Sequence, residues 1–236
     1  EQRLGDIGVT QWHIVSKLPI VPDLCSNVAT WVIGEIHGSL RRLKISKLYG
    51  LLLHQPSQLL TPQGDSIYRA LLSLKEEGKI DKLGVSVYDP EELQLLLHYF
   101  KFDLVQAPFN IFDRRFSTSG WLRRLHQAGI EIHTRSAFLQ GLLLMELKKR
   151  PAKFSKWQSL WEQWHTWLEQ QALTPIEACI GFVQSQTEID KVIVGVESDR
   201  QMRQILGAAK INREITYPSF ETEDLQLLNP SNWVKA

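Results

Sequence analysis

Residues 48–88 decide the fold, and their sequence is LYGLLLHQPSQLLTPQGDSIYRALLSLKEEGKIDKLGVSVY. The continuous apolar run from Leu48 to His54 predicts a strand that is buried on both faces, as strands of parallel sheets are. Helical periodicity predicts a helix from Ser66 to Gly78, and a second β-rich run follows from Lys82 to Tyr88. The segment is therefore interpreted as one strand-helix-strand unit of a parallel α/β fold.

The same alternation continues on both sides of this unit. Gly78 and Gly129 end predicted helices as C-cap glycines do, and Asp89-Pro90 begins one with an N-cap residue and a proline. The other predicted strands are Trp12 to Leu18, Asp103 to Phe109, Ile130 to Phe138 and Lys191 to Val196. The other predicted helices are Pro90 to Phe100, Thr118 to Gly129 and Thr174 to Gln184. This order favours a doubly wound open sheet or a barrel, and periodicity alone does not choose between them.

The composition indicates the kind of partner. The 236 residues are 43% hydrophobic, which favours one large domain over residues 1–236. Lys plus Arg number 27 against 26 Asp plus Glu, without long runs of one sign, so neither nucleic acid nor a membrane surface is expected as a partner. A small molecule is expected instead. The sequence does not indicate the oligomeric state.

Location and metal content are inferred from what the sequence lacks. No apolar run approaches the roughly 20 residues that a membrane helix needs, and no signal-peptide pattern is present, so a cytoplasmic protein is expected. Cys25 and Cys179 lie far apart and show no metal-ligand spacing. We therefore expect reduced thiols and no metal site.

A segment after Pro151 interrupts the alternation. Trp157, Trp161, Trp164 and Trp167 follow one another at intervals of three and four, which indicates an apolar stripe on a helix. Two interpretations stay open: a helix packed on the barrel, or a substrate wall or dimer face.

Two polar residues close apolar runs on successive predicted strands. Lys17 ends the run HIVSK and His54 ends LYGLLLH. In parallel α/β folds, reactive groups collect at the carboxyl ends of the strands, and neighbouring strands lie about 4.8 Å apart. Lys17 and His54 are therefore candidate catalytic residues that could share one pocket, although a lysine at a strand end is usually a solvated tip and a histidine after three leucines is often a core residue.

Five segments resemble the aldo-keto reductase family, in the family's order. They are LRRLKISKLYGLLLHQP (Leu40 to Pro56), LKEEGKIDKLGVSV (Leu74 to Val87), QAPFN (Gln106 to Asn110), RSAFLQGLL (Arg135 to Leu143) and KVIVGVE (Lys191 to Glu197). The form RSAFLQGLL resembles a bacterial branch of the family. The resemblance implies a (β/α)8 TIM barrel, of which about six βα units, strands 3 to 8, are present in an N-terminally incomplete domain. It also implies NAD(P)H-dependent reduction of an aldehyde or ketone, with sugar-related carbonyls among the candidates.

The resemblance assigns catalytic roles to the two strand-end residues. The family's tetrad is Asp, Tyr, Lys and His, and Lys17 and His54 match the last two. The tyrosine donates a proton to the carbonyl oxygen, the lysine lowers the pKa of that tyrosine, and the histidine orients the carbonyl. The segment Glu1 to Gly8 resembles the helix that follows the Asp and the Tyr, so both are expected upstream of Glu1.

The same resemblance assigns cofactor contacts. Ser86 and Gln106 are expected at the nicotinamide carboxamide, and Val87 replaces the family's asparagine after that serine. Arg135 replaces a ring-stacking aromatic residue, a role that a planar guanidinium can also fill. Ser136, Leu139 and Gly141 are expected beside the pyrophosphate, where Gly141 could equally be a simple turn residue.

The last predicted strand leads into a helix that begins near Asp199, at the expected adenosine site. The two basic positions that hold a 2′-phosphate in the family match Gly195 and Gln201, which are not basic. Arg200 and Arg203 could replace them, whereas Glu197 would favour a free ribose hydroxyl. NADP(H) is the expected cofactor, with NAD(H) as the alternative.

Two other classes of function stay open. One is a non-catalytic nucleotide-binding barrel, a cofactor sensor or scaffold, especially if the chain starts at Glu1. The other is an isomerase or aldolase in which Lys17 forms a Schiff base. The pairing of Lys17 with His54 favours the reductase.

Overall fold

The computed structural model describes residues 1–211 and 213–233, which form two compact units. The first unit contains residues 1–107 and 127–132. The second contains residues 108–126 and the described residues from 133 onward. A single domain over residues 1–236 stays a prediction.

Parallel strands in chain order form the sheet of the first unit. They are β1 (Val15–Leu18), β2 (Leu48–Leu53), β3 (Ile80–Ser86) and β4 (Leu104–Pro108), whose last residue belongs to the second unit. β1 pairs with β2, β2 with β3 and β3 with β4, all in parallel. The helices are α1 (Gln2–Ile7), α2 (Val28–Leu43), α3 (Gly64–Glu76) and α4 (Pro90–Tyr99), with a 3-10 helix at Pro56–Leu60. The predicted strand-helix-strand unit of residues 48–88 is thereby confirmed.

The described residues of the second unit form two paired strands and six helices, of whose residues only Gln127, Glu131 and Ile132 belong to the first unit. The strands β5 (Glu131–Arg135) and β6 (Lys191–Val192) pair in parallel through His133 and Thr134. The helices are α5 (Arg115–Thr118), α6 (Trp121–Gln127), α7 (Gln158–Gln171), α8 (Pro175–Gln184), α9 (Asp199–Ala208) and α10 (Leu225–Leu228). Short 3-10 helices lie at Leu139–Leu144, Leu147–Lys149, Ala152–Trp157 and Pro230–Asn232.

Local signals place the helix ends as predicted. The Asp89 carboxylate accepts the Glu92 backbone N–H at 2.7 Å, and Pro90 is the first residue of α4. Gly78 and Gly129 both have a φ of 69°, in the left-handed region that glycine adopts without strain. Capping residues act within one turn of the chain, which is why the sequence shows them.

Several predicted boundaries were wrong: β1 begins at Val15 and not at Trp12, and β5 ends at Arg135 and not at Phe138. The predicted helix from Thr118 to Gly129 begins only at Trp121, as α6, because Gly120 before it has a φ of 76°, and Thr118 is instead the last residue of α5. The predicted strand from Lys191 to Val196 ends at Val192. Ile193 and Val196 are 42% and 37% exposed, so this apolar run is not buried on both faces.

Helix α7, which carries Trp161, Trp164 and Trp167, packs into the core of the second unit. Trp161 and Trp164 are 1% and 0% exposed, and Trp167 is also buried. The indole N–H of Trp161 donates to the Phe154 carbonyl at 3.0 Å, and that of Trp164 donates to the Leu143 carbonyl at 3.2 Å. Buried indoles with satisfied N–H groups are typical of a packed helix, so that interpretation is confirmed for these residues. None of the described helices is apolar over enough length to span a bilayer.

Candidate active site

A chain of three polar side chains crosses the carboxyl ends of the strands in the first unit. The Lys17 ammonium donates to the Ser86 hydroxyl at 3.4 Å, and this hydroxyl donates to the Gln106 side-chain oxygen at 3.3 Å. Ser86 and Gln106 are 2% and 5% exposed, whereas Lys17 is exposed. The structure therefore brings together one predicted catalytic residue and both residues predicted at the carboxamide.

Strand register explains why these side chains meet. Ser86, the last residue of β3, is the register partner of Gln106 on β4. Gly84 permits the two strands to approach closely, because a Cβ atom there would lie 2.2 Å from the Leu104 carbonyl oxygen. The buried Val87 cannot supply the side-chain hydrogen bond of the family's asparagine, and its backbone N–H donates to the Gln106 carbonyl at 2.9 Å.

His54 lies at the same end of the sheet, directly after β2. Its backbone N–H donates to the Leu18 carbonyl at 3.3 Å, and its side chain is exposed. Behind it, the Gln58 side-chain oxygen accepts the Val21 backbone N–H at 2.7 Å. This bond links the segments that follow β1 and β2. Lys17 and His54 thus lie at neighbouring strand ends, as predicted.

Tyr49 has a carboxylate and a lysine as neighbours, as the proton-donating tyrosine of the family has. It lies, however, at the amino end of its strand, away from the predicted site. Its hydroxyl donates to Glu131 at 2.7 Å, and the Lys82 ammonium also contacts this carboxylate. The hydrogen bond to Glu131 raises the pKa of Lys82 above its usual range. Tyr49 is the second residue of β2, so it lies at the amino end, opposite to His54.

Two further tyrosines are engaged elsewhere. The Tyr68 hydroxyl donates to the Lys101 carbonyl at 2.9 Å. Tyr217 belongs to the second unit, and burial raises its pKa to about 12. The hydrogen bond of Tyr68 ties its hydroxyl to the segment before β4 and not to Lys17.

In the second unit, the predicted pyrophosphate residues lie in a loop with unusual backbone angles. Arg135 ends β5, and its carbonyl accepts the Phe109 N–H at 3.0 Å. Ser136, Leu139 and Gly141 all have positive φ angles, of 65°, 45° and 88°. A Cβ atom at Gly141 would meet nothing within 4 Å, so space for a close ligand exists beside its backbone.

The predicted adenosine residues lie around the start of α9. This helix begins at Asp199, and the Ser198 hydroxyl accepts the Gln201 N–H at 3.3 Å. Gln201 in turn accepts the backbone N–H of Glu197 at 2.8 Å. Arg203 lies 3.7 Å from the Asp199 carboxylate.

The residues predicted at the adenosine site lie on the surface of the second unit. Gly195, Glu197, Arg200 and Arg203 are all exposed, and the predicted start of the helix near Asp199 is confirmed. Arg200 and Arg203 are therefore three residues apart on one helix, as the sequence predicts. Both are accessible to a ligand.

One residue that contacts the predicted pyrophosphate loop is not among the residues predicted from the sequence. Asn110, the last residue of the QAPFN segment, has no predicted role, yet its side chain is 1% exposed and contacts the loop after β5. Its position two residues after the end of β4 is the available signal, because polar residues that follow strands in parallel folds are candidates for function.

The Aldo/keto reductase family model matches residues 11–219. The NADH-specific methylglyoxal reductase of Escherichia coli (strain K12) is 24% identical over 194 residues, which are 75% of this chain. The chain spans 59% of the length of that relative.

Two solved structures show the same fold. They are the apo and holo forms of the aldo-keto reductase AKR11C1 from Bacillus halodurans, which match with TM-scores of 0.72 and 0.70. Each is 20% identical to this chain, and the matches cover 91% of this chain and 72% and 73% of those chains. The parallel α/β architecture is thus that of the aldo-keto reductase barrel. With most of its residues matched by the family's model, this chain belongs to the aldo-keto reductase family.

Proposed function

We propose that the protein is an NAD(P)H-dependent oxidoreductase that reduces an aldehyde or ketone to an alcohol. The observation that carries the proposal is the chain of hydrogen bonds from Lys17 through Ser86 to Gln106. It lies where barrel enzymes carry their chemistry, at the carboxyl ends of parallel strands. A pure binding protein has no need of a lysine in this place.

The residues present suit a nicotinamide nucleotide. Gln106 accepts from Ser86 through its side-chain oxygen, so its amide N–H groups would donate to the oxygen of a carboxamide. Within the second unit, Ser136, Leu139 and Gly141 would border a diphosphate, as the family resemblance implies, and Arg135 stays a predicted ring contact. The bound nucleotide would supply the hydride.

Lys17 and His54 would act on the substrate. The Lys17 ammonium would stabilise negative charge that develops on the carbonyl oxygen and on the tyrosine that the family resemblance implies as proton donor. The exposed His54 imidazole would donate a hydrogen bond to the same oxygen and orient it. The chain thereby supplies the electrostatic part of the reaction.

Charges around the start of α9 favour NAD(H), the alternative cofactor of the sequence analysis. Glu197 and Asp199 balance the charges of Arg200 and Arg203, and Arg203 already has a carboxylate partner. A 2′-phosphate would meet little net positive charge there, whereas Glu197 could accept a ribose hydroxyl. The NADH-specific relative agrees with this preference. We propose NAD(H) as the preferred cofactor, with NADP(H) as its competitor.

The test uses the full-length protein, NADH or NADPH, and two carbonyls: methylglyoxal, the substrate of the relative, and an aldose sugar. Loss of nucleotide absorbance that depends on the carbonyl would support the reductase, and the better substrate would decide between a small dicarbonyl and a sugar. Tight nucleotide binding without turnover would favour the sensor or scaffold. Borohydride trapping of an imine on Lys17 without nucleotide would favour the Schiff-base enzyme.

A further inference from the structure

The side chain of Asn110 joins the turn after β4 to the loop after β5. Its oxygen accepts the backbone N–H groups of Phe112 and Asp113 at 2.9 and 3.0 Å. Its amide nitrogen donates to the Ser136 carbonyl at 3.1 Å. Because the side chain is 1% exposed, water does not compete for these bonds.

The loop that Asn110 contacts, residues 136–141, holds an uncommon backbone conformation. Five non-glycine residues with positive φ are found in the described chain, and Ser136, Leu139 and Gln140 are three of them. Gln140 and Gly141 have φ, ψ angles of 53°, 30° and 88°, −8°, which are those of a type I′ turn. Such a conformation persists only where the surrounding structure holds it in place.

The Ser136 carbonyl is the point where the loop is held. It accepts two hydrogen bonds, one from Asn110 and one from the Leu139 backbone N–H at 2.9 Å. The Leu139 side chain, at the start of the turn through Gln140 and Gly141, is 0% exposed and anchors that turn in the core. Asn110 is therefore the side chain that connects the left-handed start of the loop to the core of the second unit.

We propose that Asn110 is a positioning residue for the diphosphate of the nucleotide and acts through the backbone of Ser136. The inference rests on the proposed function, which places the diphosphate against this loop. A loop that already has its bound conformation loses little entropy when the ligand binds. Without Asn110, the nucleotide must order the loop when it binds, so the affinity of the protein for the nucleotide falls. Lys17 and His54 in the first unit stay unchanged.

The test compares Asn110→Asp and Asn110→Ser in the full-length protein. The aspartate keeps an acceptor for Phe112 and Asp113 but places a carboxylate oxygen against the Ser136 carbonyl. The serine adds no buried charge and serves if the aspartate variant does not fold. Asn229→Asp is the control, because Asn229 also accepts a backbone N–H, from Ser231 at 3.1 Å, in a turn of the same unit.

Three readouts separate positioning from general damage. We expect dissociation constants for NADH and for ADP, which carries the diphosphate without nicotinamide, to rise about tenfold, equivalent to about 1.4 kcal/mol. The KM for the nucleotide should rise equally, with kcat at saturation unchanged within about twofold. Hydrogen exchange at the amides of Leu139 and Gly141 should accelerate, and Asn229→Asp should change none of these values.

Different results overturn different statements. If exchange accelerates while both nucleotides bind as in the wild type, Asn110 holds the loop but does not position the diphosphate, and the inference is wrong. If exchange and affinity both stay at wild-type values, the inference is wrong at its first step. A wild-type protein that binds neither nucleotide would remove the proposed function itself, whatever the variants show.

Discussion

The Lys17 ammonium lies 3.4 Å from the Ser86 hydroxyl, although 69 positions separate the two residues in the sequence. Ser86 also contacts Gln106, so one hydroxyl connects the proposed catalytic lysine with a proposed carboxamide contact. Lys17 lies at the catalytic end of this chain of hydrogen bonds and Gln106 at the carboxamide end, so each residue can be changed separately.

Replacement of Lys17 by methionine should lower kcat by a factor of about 10² to 10⁴, since it removes the positive charge beside the reacting oxygen. Nucleotide affinity should change little, because Ser86 and Gln106 stay in place. Steady-state kinetics beside a fluorescence titration would measure both. Lys47→Met is the matched control, since Lys47 is an exposed lysine of the same unit that pairs with Asp81. Wild-type turnover in Lys17→Met would remove this lysine from the mechanism.

Replacement of Arg200 and of Arg203 by alanine tests the cofactor preference. If NAD(H) is preferred, the wild type should bind NADH at least as tightly as NADPH, and neither change should alter NADH affinity beyond about twofold. Arg69→Ala is the control, because Arg69 is also an exposed helix residue that pairs with an aspartate four positions away. Titrations at two salt concentrations would reveal the opposite preference, in which NADPH binds more tightly than NADH. In that case the affinity for NADPH would fall as salt is added, because charges are screened over about 8 Å at physiological ionic strength. Both variants would then bind NADPH no more tightly than NADH.

Gly84→Ala should destabilise the protein by about 3 kcal/mol or more, because the new Cβ would lie 2.2 Å from the Leu104 carbonyl oxygen. Because the overlapping oxygen belongs to the backbone of the paired strand, and a Leu52 methyl carbon lies only 2.8 Å from the same Cβ position, a side-chain shift does not relieve the overlap. Gly34→Ala in α2 is the control, since its Cβ would meet nothing within 4 Å and alanine stabilises a helix by about 0.5–1 kcal/mol. Urea unfolding would measure the two changes. Equal stability of the two variants would show that β3 and β4 are not as close as described.

His165 should make stability sensitive to mildly acidic pH. Burial lowers the pKa of His165, and the charge of Arg150, whose guanidinium lies 3.4 Å away, lowers it further. Glu169 opposes this effect. Because an unfolded histidine has a pKa of about 6.5, the unfolded chain binds the proton more readily, so stability is full above that pH and falls as the pH drops.

His165→Gln cannot bind this proton and should show a smaller loss of stability between about pH 7 and pH 5. Urea midpoints at several pH values would measure it. His126→Gln, a change at an exposed histidine of α6, should keep the wild-type profile. Identical profiles for His165→Gln and the wild type would show that another group causes the acid sensitivity.

Most of the fold was predictable because its signals are local. The apolar run from Leu48, the cap at Asp89 and the glycines at 78 and 129 act on residues within a few positions of themselves. The end of β6 depended instead on packing between segments that are distant in the chain. The extent of β6 was misjudged because burial of Ile193 depends on what packs against it, which hydrophobic patterning cannot show.

The sequence by itself determined the parallel α/β class, the order of strands and helices, and the location of Lys17 and His54 at neighbouring strand ends. These follow from periodicity and from capping, which are properties of short segments. The tertiary structure alone decided that Lys17 reaches Ser86 and that Asn110 holds the Ser136 carbonyl. Both contacts join residues that are distant in the chain, so they depend on strand register and packing, which arise only when the separate segments fold together.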